Sequence, residues 1–329
     1  MKKLSELGER RAIQEILEIL STKNTAVDAG DDCAAFELDK EYLLVTTDMI
    51  SQRTHIPKQM SAFQIGWFVV AINLSDIAAK GGTPLGLVLA FGLPKEKSET
   101  FLKNLTKGAD ACATQFNTAI IGGDTKESKE ITICGTALGL VKKDEFMPRK
   151  GAKPGDIVAV TGKLGKAGAG YYALKHKIWD QSILKGLMEP LPRLKEGRIL
   201  AKEKIVTSCM DISDGLSSSL YQLQELNNVG FEINQKEIPI CLELKQLQKE
   251  KKGIDVYNYA LHFGGDYELL FTVPYDSFDI VSKSMEKTNT ALTAIGRVTK
   301  KKNIVIIAEN KEEILRNKGY EHFKRRTFL

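Results

Sequence analysis

Several common chemistries are missing from this 329-residue sequence. Its five cysteines, Cys33, Cys112, Cys134, Cys209 and Cys241, are odd in number and never fall in a C-x-x-C spacing. A disulfide framework and a thiolate zinc site are therefore not expected. The four histidines, His55, His176, His262 and His322, contain no H-x-x-x-H pair, which argues against histidine-ligated zinc. No G-x-x-x-x-G-K-[ST] occurs, so a P-loop is excluded. The longest apolar run, IGWFVVAINL at 65–74, falls well short of the roughly 20 residues that cross a bilayer. The opening MKKLSELGERRAIQEILEIL has charges throughout its apolar stripe and reads as an amphipathic helix rather than a signal peptide. A cytoplasmic protein with free thiols, no membrane contact and no leader is expected. The net charge of +5 comes from lysines spread along the chain, without a basic stripe or aromatic platform, so no nucleic-acid partner is expected either.

What is present is an ordinary globular composition, 43% hydrophobic and 27% charged, long enough for two domains. Helical and strand patterns alternate, which predicts an α/β or α+β fold. The alternation in YLLVTTD predicts a strand at 42–48 that delivers Asp48 at its end. Ile65, Phe68, Val69, Ile72 and Ile77 have helical spacing over about 61–80, and GG stops that helix. A buried strand is expected at 84–93, a charged amphipathic helix at about 95–115, and two strands in NTAIIGGDT and EITICGTALGLV. The polar stretch 141–156, with two prolines, reads as a linker. It divides a first domain, 1–145, from a second, 146–329. IVAVTG, VTSCMD and YELLFTV then read as strands, with helices in GKAGAGYYALKH, at 193–204 and in GLSSSLYQLQEL.

The carboxylates are the unusual feature. GDDCAAF sets Asp31 beside Asp32 with no lysine or arginine next to them. Like charges about 4 Å apart repel by roughly 4 kcal/mol at an effective dielectric of about 20. Asp48 ends a strand, Asp76 sits on an apolar helix, and Asp124 follows two glycines. Asp211, Ser213 and Asp214 lie between a strand and a helix, and Asp266 and Glu268 again follow two glycines. Each alone has a plain explanation: an Asp-rich turn, a solvated helix face, or an N-cap at Ser213. Together they place acids at strand ends, where an α/β scaffold gathers binding groups, with almost no local basic partners. Buried carboxylates need compensation, and an oxygen-only donor set suits Mg²⁺ with phosphate oxygens and water. Several Mg²⁺ ions and a polyphosphate are therefore expected. Gly122 and Gly123 would let the backbone approach phosphates. TGKLGKAGAG at 161–170 is more simply a tight strand–helix turn.

In order, GDDCAAF, TTDMISQRTHI, NLSDIAAKGGTPLG, IIGGDT, PRKGAKPGDIVAVTG, DISDGL, GGDYELLFT and KGYEHF span residues 30–323 and resemble the thiamine-monophosphate kinase family. That family belongs to the superfamily of aminoimidazole ribonucleotide synthetase, selenophosphate synthetase and a hydrogenase maturation factor. The resemblance implies ATP-dependent phosphorylation of thiamine monophosphate to thiamine diphosphate. It also implies a two-domain fold whose N-terminal domain dimerises into an intersubunit barrel, with the active site in the cleft between domains. Asp32, Thr46, Thr47, Asp48, Asp76, Asp124, Asp211 and Asp214 match its magnesium ligands. Gly123, Asp124, Arg149 and Ser213 match positions around ATP, and His55 and Tyr320 match substrate contacts. No general base or covalent nucleophile is implied. FGGDYEL departs from the family pattern, which has two acids before the aromatic, and Asp266 is the substitute candidate for the substrate acid. Selenophosphate synthetase needs an early reactive Cys followed by a lysine, and the hydrogenase factor a C-terminal cysteine; neither fits. A non-catalytic nucleotide- or cation-binding module is the alternative of a different class.

Overall fold

The computed structural model describes residues 3–20, 25–27, 30–251, 253–309 and 311–324. The first half runs α1 (Leu4–Leu7), α2 (Glu9–Ile19), β1 (Ala34–Leu38), β2 (Glu41–Ser51), α3 (Ala62–Ala79), β3 (Thr83–Leu93), α4 (Glu99–Gln115), β4 (Ile120–Glu127) and β5 (Thr132–Lys142). The second half opens with β6 (Ile157–Thr161), α5 (Lys166–Lys175), α6 (Gln181–Met188), α7 (Leu194–Glu203), β7 (Ser208–Asp211), α8 (Leu216–Asn227) and β8 (Gly230–Asn234). It continues with α9 (Leu242–Glu250), α10 (Val256–His262), β9 (Leu269–Val273), α11 (Phe278–Met285), β10 (Leu292–Thr299), β11 (Ile304–Ala308) and β12 (Lys311–Ile314).

Two sheets result, a five-stranded one in the order β1-β2-β5-β3-β4 and a seven-stranded one in the order β12-β11-β8-β10-β6-β9-β7. The α/β reading of the sequence therefore holds. In the first sheet, alternation sets two different faces. Leu44, Thr46 and Ile50 of β2 and Ile133 and Ala137 of β5 are buried on the face covered by helices. The opposite face leaves Met49 (60% exposed), Leu85 and Ile121 open.

Helix α3 is the axis of the molecule. Ser61 caps its start, accepting the Gln64 N–H, while Gln64 Oε1 accepts the Ser61 N–H at 3.0 Å. It is apolar nearly all round because it packs against the first sheet, α4, and also α7 and β7 of the second half. It alone among the described helices is long and apolar enough to cross a membrane, yet most of it is buried inside the protein. Two glycines permit these close approaches. A Cβ on Gly66 of α3 would lie 1.9 Å from the Leu105 carbonyl oxygen, and one on Gly197 of α7 would lie 2.1 Å from the Ala78 oxygen.

The polar segment 141–156 is packed rather than loose. Arg198 Nη2 lies 2.6 Å from Glu145 Oε2, Met147 is buried, and the Pro148 oxygen accepts the Cys209 N–H at 2.8 Å. Its charges read as linker composition because their partners are distant in sequence. Helix α2, at the other end of the chain, rests on α8, with Arg10 Nη2 donating to Ser218 Oγ at 2.6 Å and Gln14 Nε2 to Glu225 Oε1 at 3.2 Å.

Candidate active site

Three carboxylates from three separate elements meet where the halves join. Asp32 stands in the loop before β1, Asp76 on α3, and Asp211 at the end of β7. One oxygen from each lies within 4.8 Å of the others. Hydroxyls orient two of them: Thr46 Oγ1 donates to Asp76 Oδ2 at 2.5 Å, and Ser75 Oγ donates to Asp211 Oδ2 at 2.6 Å. The Ser75 contact links the two halves directly. Asn73, one turn before Asp76, accepts the Asp48 N–H at 3.1 Å and so holds β2 beside the cluster; β2 runs on to Ser51, so Asp48 lies within the strand and not at the end expected from the sequence.

Crowding shows in the acidities. Burial pushes Asp76 well above the ordinary carboxylate range, and the charges of Asp48, Asp211 and Asp32 push it further. Asp211 is raised to about 7 by burial and then by Asp32. Burial also raises Asp48 to about 6, with Asp32 adding to it, and Asp214 to about 7, with Glu9 adding to it. A site that resists charging four carboxyls is one that a divalent cation would relieve.

Asp31 and Asp32 are not without cations, contrary to the local sequence. Lys80 Nζ lies 2.6 Å from Asp31 Oδ1 and 2.8 Å from Asp32 Oδ2. Arg149 donates from Nε to Asp32 Oδ1 at 2.8 Å, contacts the same oxygen through Nη2, and donates its backbone N–H to Asp31 Oδ2 at 2.9 Å. Burial would raise the Asp32 carboxyl, but Arg149 and Lys80 outweigh it and hold it below its ordinary value. Asp32 Oδ2 nevertheless has no directed hydrogen bond; the nearby ammonium gives it charge without alignment. A buried carboxylate with such an oxygen, clustered with two more, fits a hard cation such as Mg²⁺.

Other candidates fall elsewhere. Thr47 and Thr46 are neighbours on a strand and so point to opposite faces. The Thr47 hydroxyl donates to the Gly135 oxygen at 2.8 Å on the open sheet face, away from Asp76. Asp124 pairs through Ala90 and Cys134 to Met49, so three strand spacings, roughly 14 Å, separate it from the end of β2. Within one chain, therefore, neither the Thr47 side chain nor Asp124 joins the cluster. Gly123 has a nearer constraint than phosphate: a Cβ there would lie 1.9 Å from the Leu89 oxygen of β3.

Ser213 does not cap α8, whose N-cap is Gly215; its carbonyl accepts the Gly265 N–H at 2.7 Å. That contact sets the DISDGL loop beside the GGD loop. Asp266 accepts the backbone N–H groups of Gly165 (2.7 Å) and Ala167 (3.1 Å), so it serves the start of α5. Glu268 is fully buried against Arg193, 2.5 Å away, and Thr161.

His55 and Tyr320, far apart in sequence, do come together, with His322 between them. The His55 and His322 rings are 5.4 Å apart, and Tyr320 and His322 meet edge-on at 4.8 Å. The His322 N–H is accepted by Glu9 Oε2 at 2.9 Å, and the Tyr320 N–H by the Asp214 oxygen at 3.1 Å. The C-terminal segment is thus clasped between α2 and the acid loop. The sequence reading missed Glu9, Asn73, Ser75, Lys80 and His322. A lysine ending an apolar helix was the one visible signal among them.

Two α/β halves in this order define the AIR synthase related class. Residues 30–141 match the model of the AIR synthase related protein N-terminal domain, and residues 153–309 that of the C-terminal domain. A thiamine-monophosphate kinase of Methanospirillum hungatei is 37% identical over 94% of this chain and 98% of its own length. One from Pyrococcus horikoshii is 36% identical, covering 90% of this chain and 91% of the relative. The solved structure of AaThiL complexed with AMPPCP and TMP superposes with a TM-score of 0.85 at 28% identity, over 98% of this chain and 99% of that one. The chain belongs to the thiamine-monophosphate kinase family.

Proposed function

We propose that this protein transfers the terminal phosphate of ATP to thiamine monophosphate, giving thiamine diphosphate, in the cleft between its halves. One observation carries the reading: Asp32, Asp76 and Asp211 converge from both halves, with the carboxyls of Asp76 and Asp211 driven upward by burial and by neighbouring carboxylates. The full-length similarity to thiamine-monophosphate kinases, and to a relative solved with AMPPCP and TMP, supports the choice of reactants.

Asp32, Asp76 and Asp211, with Asp48, Asp214 and the Thr46 hydroxyl beside them, would hold Mg²⁺, which when bound neutralises and aligns phosphates for in-line transfer. Arg149 offers a planar fork suited to phosphate. Ser213 joins it at the nucleotide, while His55 and Tyr320, brought together at the C-terminal clasp, would meet the thiamine moiety. The acceptor is a phosphate whose second pKa is about 6, so it is mostly dianionic at neutral pH and needs no base to activate it. The site accordingly has to bring two polyanions together, and transfer is direct, with no phosphoenzyme.

The same reading seats a second copy on the open face of the first sheet. That face carries the exposed Met49, Leu85, Val88 and Ile121 together with Thr47 and Asp124. A paired sheet would cover the apolar side chains and give Gly123 and Asp124 a role that one chain alone does not. A cytoplasmic setting agrees with five free cysteines, four of them buried.

The test is direct. Purified protein incubated with ATP, Mg²⁺ and thiamine monophosphate should form ADP and thiamine diphosphate in equal amounts. Binding of ATP without either product would leave a nucleotide-binding module and end the proposal.

A further inference from the structure

The side chain of Lys80 has no solvent exposure. Burying an ammonium is costly unless its protons find acceptors. Two of them do: Asp31 Oδ1 at 2.6 Å and the Cys209 carbonyl oxygen at 2.8 Å. The third contact is to Asp32 Oδ2 at 2.8 Å. Burial works against the charged form, but Asp31 and Asp32 outweigh it and hold the ammonium charged.

The placement of these contacts matters more than their number. Asp31 and Asp32 belong to the loop that supplies one carboxylate of the trio. Lys80 itself follows α3, and its backbone N–H donates to the Asp76 oxygen at 3.2 Å, so Lys80 and Asp76 share one turn. Cys209 lies on β7, two residues before Asp211. A single residue thus ties all three segments that carry the trio, its ammonium to the Asp31–Asp32 loop and to β7 and its backbone N–H to the Asp76 turn. Arg149 is different: it is 16% exposed, and its guanidinium donates to Asp32, the Gly30 oxygen and Gln222 of α8 rather than to the Asp76 turn or to β7.

We propose that Lys80 is a positioning residue for the metal centre, bracing the Asp32 loop, the Asp76 turn and the Asp211 strand so that their carboxylates face one point. The inference rests on the proposed cation site. A lysine that merely balanced charge would compete with an arriving cation, and its loss would tighten metal binding. A brace helps the cation, and its loss weakens binding.

Mn²⁺ binding to nucleotide-free protein, followed by the electron paramagnetic resonance of free Mn²⁺, separates the two roles. For Lys80→Met the dissociation constant should rise at least tenfold over wild type. Equal or tighter binding, even with a lowered melting temperature, overturns the brace while leaving the cation site standing. Absence of Mn²⁺ binding by the wild type removes both. If Lys80→Met does not fold, the wild type labelled with ¹⁵N-lysine decides. Mn²⁺ should broaden one solvent-protected ammonium resonance and spare the surface lysines, and an unbroadened protected resonance rejects the inference.

Discussion

Asp76 accepts a hydrogen bond from the Thr46 hydroxyl and faces Asp32 and Asp211, with one oxygen of each within 4.8 Å of the others. Asp76→Asn keeps the shape and removes one charge. Turnover at saturating Mg²⁺ should fall by at least about 100-fold, the scale of losing one preorganised electrostatic contact. The melting temperature without Mg²⁺ should stay level or rise, because one mutually repelling carboxylate is gone. Near-wild-type turnover would remove Asp76 from the site. The pH dependence has a definite sign. Burial raises Asp48, Asp211 and Asp214 to about 6, 7 and 7 from the ordinary carboxyl value of 3.8, so the folded chain retains protons that the unfolded chain has lost. Their contribution to stability is therefore greatest at low pH and is lost as pH rises from about 4 to 7. Asp32, held low, titrates below that window. By thermal melts, the step from pH 5 to pH 8 should cost the metal-free protein more than the Mg²⁺-saturated protein. An identical step in both would contradict the cluster's role.

At the scale of elements, α3 carries Asn73, Ser75, Asp76 and, at its cap, Lys80, and it contacts both halves. Gly197→Ala tests how far the site depends on that packing. The added methyl would meet the Ala78 carbonyl 2.1 Å away, which forces α7 off α3. Overpacking of this kind costs about 1–3 kcal/mol. Because Ala78 lies between Asp76 and Lys80, activity under conditions where the variant is fully folded should fall as well. A variant that melts earlier but retains full turnover would show that the α3–α7 contact serves stability alone. The helix, its apolar character and the acid it bears were legible locally, since an 18-residue apolar helix leaves Asp76 conspicuous. So was Asp211, which ends an apolar strand; Asp48 was legible as an acid on a strand, but β2 runs on past it to Ser51 instead of ending there. The cation on Asp31 was not, because Lys80 lies 49 residues away and reaches it only through the fold. Nor was the separation of Asp124 from Asp48, which depends on the strand order β2-β5-β3-β4 and not on any local pattern. Asp266 resembled a substrate acid for the same reason: the helix start that uses its oxygens lies about 100 residues earlier in the chain.

At the scale of the whole molecule, one face of the five-stranded sheet leaves Met49, Leu85 and Ile121 exposed. Leu85→Arg places a charge on that face, away from the carboxylates. The proposed pairing predicts a dimer for the wild type and a monomer for this variant by light scattering, with turnover lowered because Thr47 and Asp124 lie on the same surface. A wild type that is itself monomeric and fully active would refute the paired arrangement. The central claim is narrower: acids from distant parts of the chain form one cation-binding centre at the junction of the halves. Crystals grown with Mn²⁺ and a non-hydrolysable ATP analogue test it most directly, through the anomalous signal of the metal. The account predicts peaks within about 2.0–2.6 Å of carboxylate oxygens of Asp32, Asp76 and Asp211, at oxygen-ligand distances typical of hard cations. A well-ordered nucleotide with no anomalous peak at those three residues would contradict it.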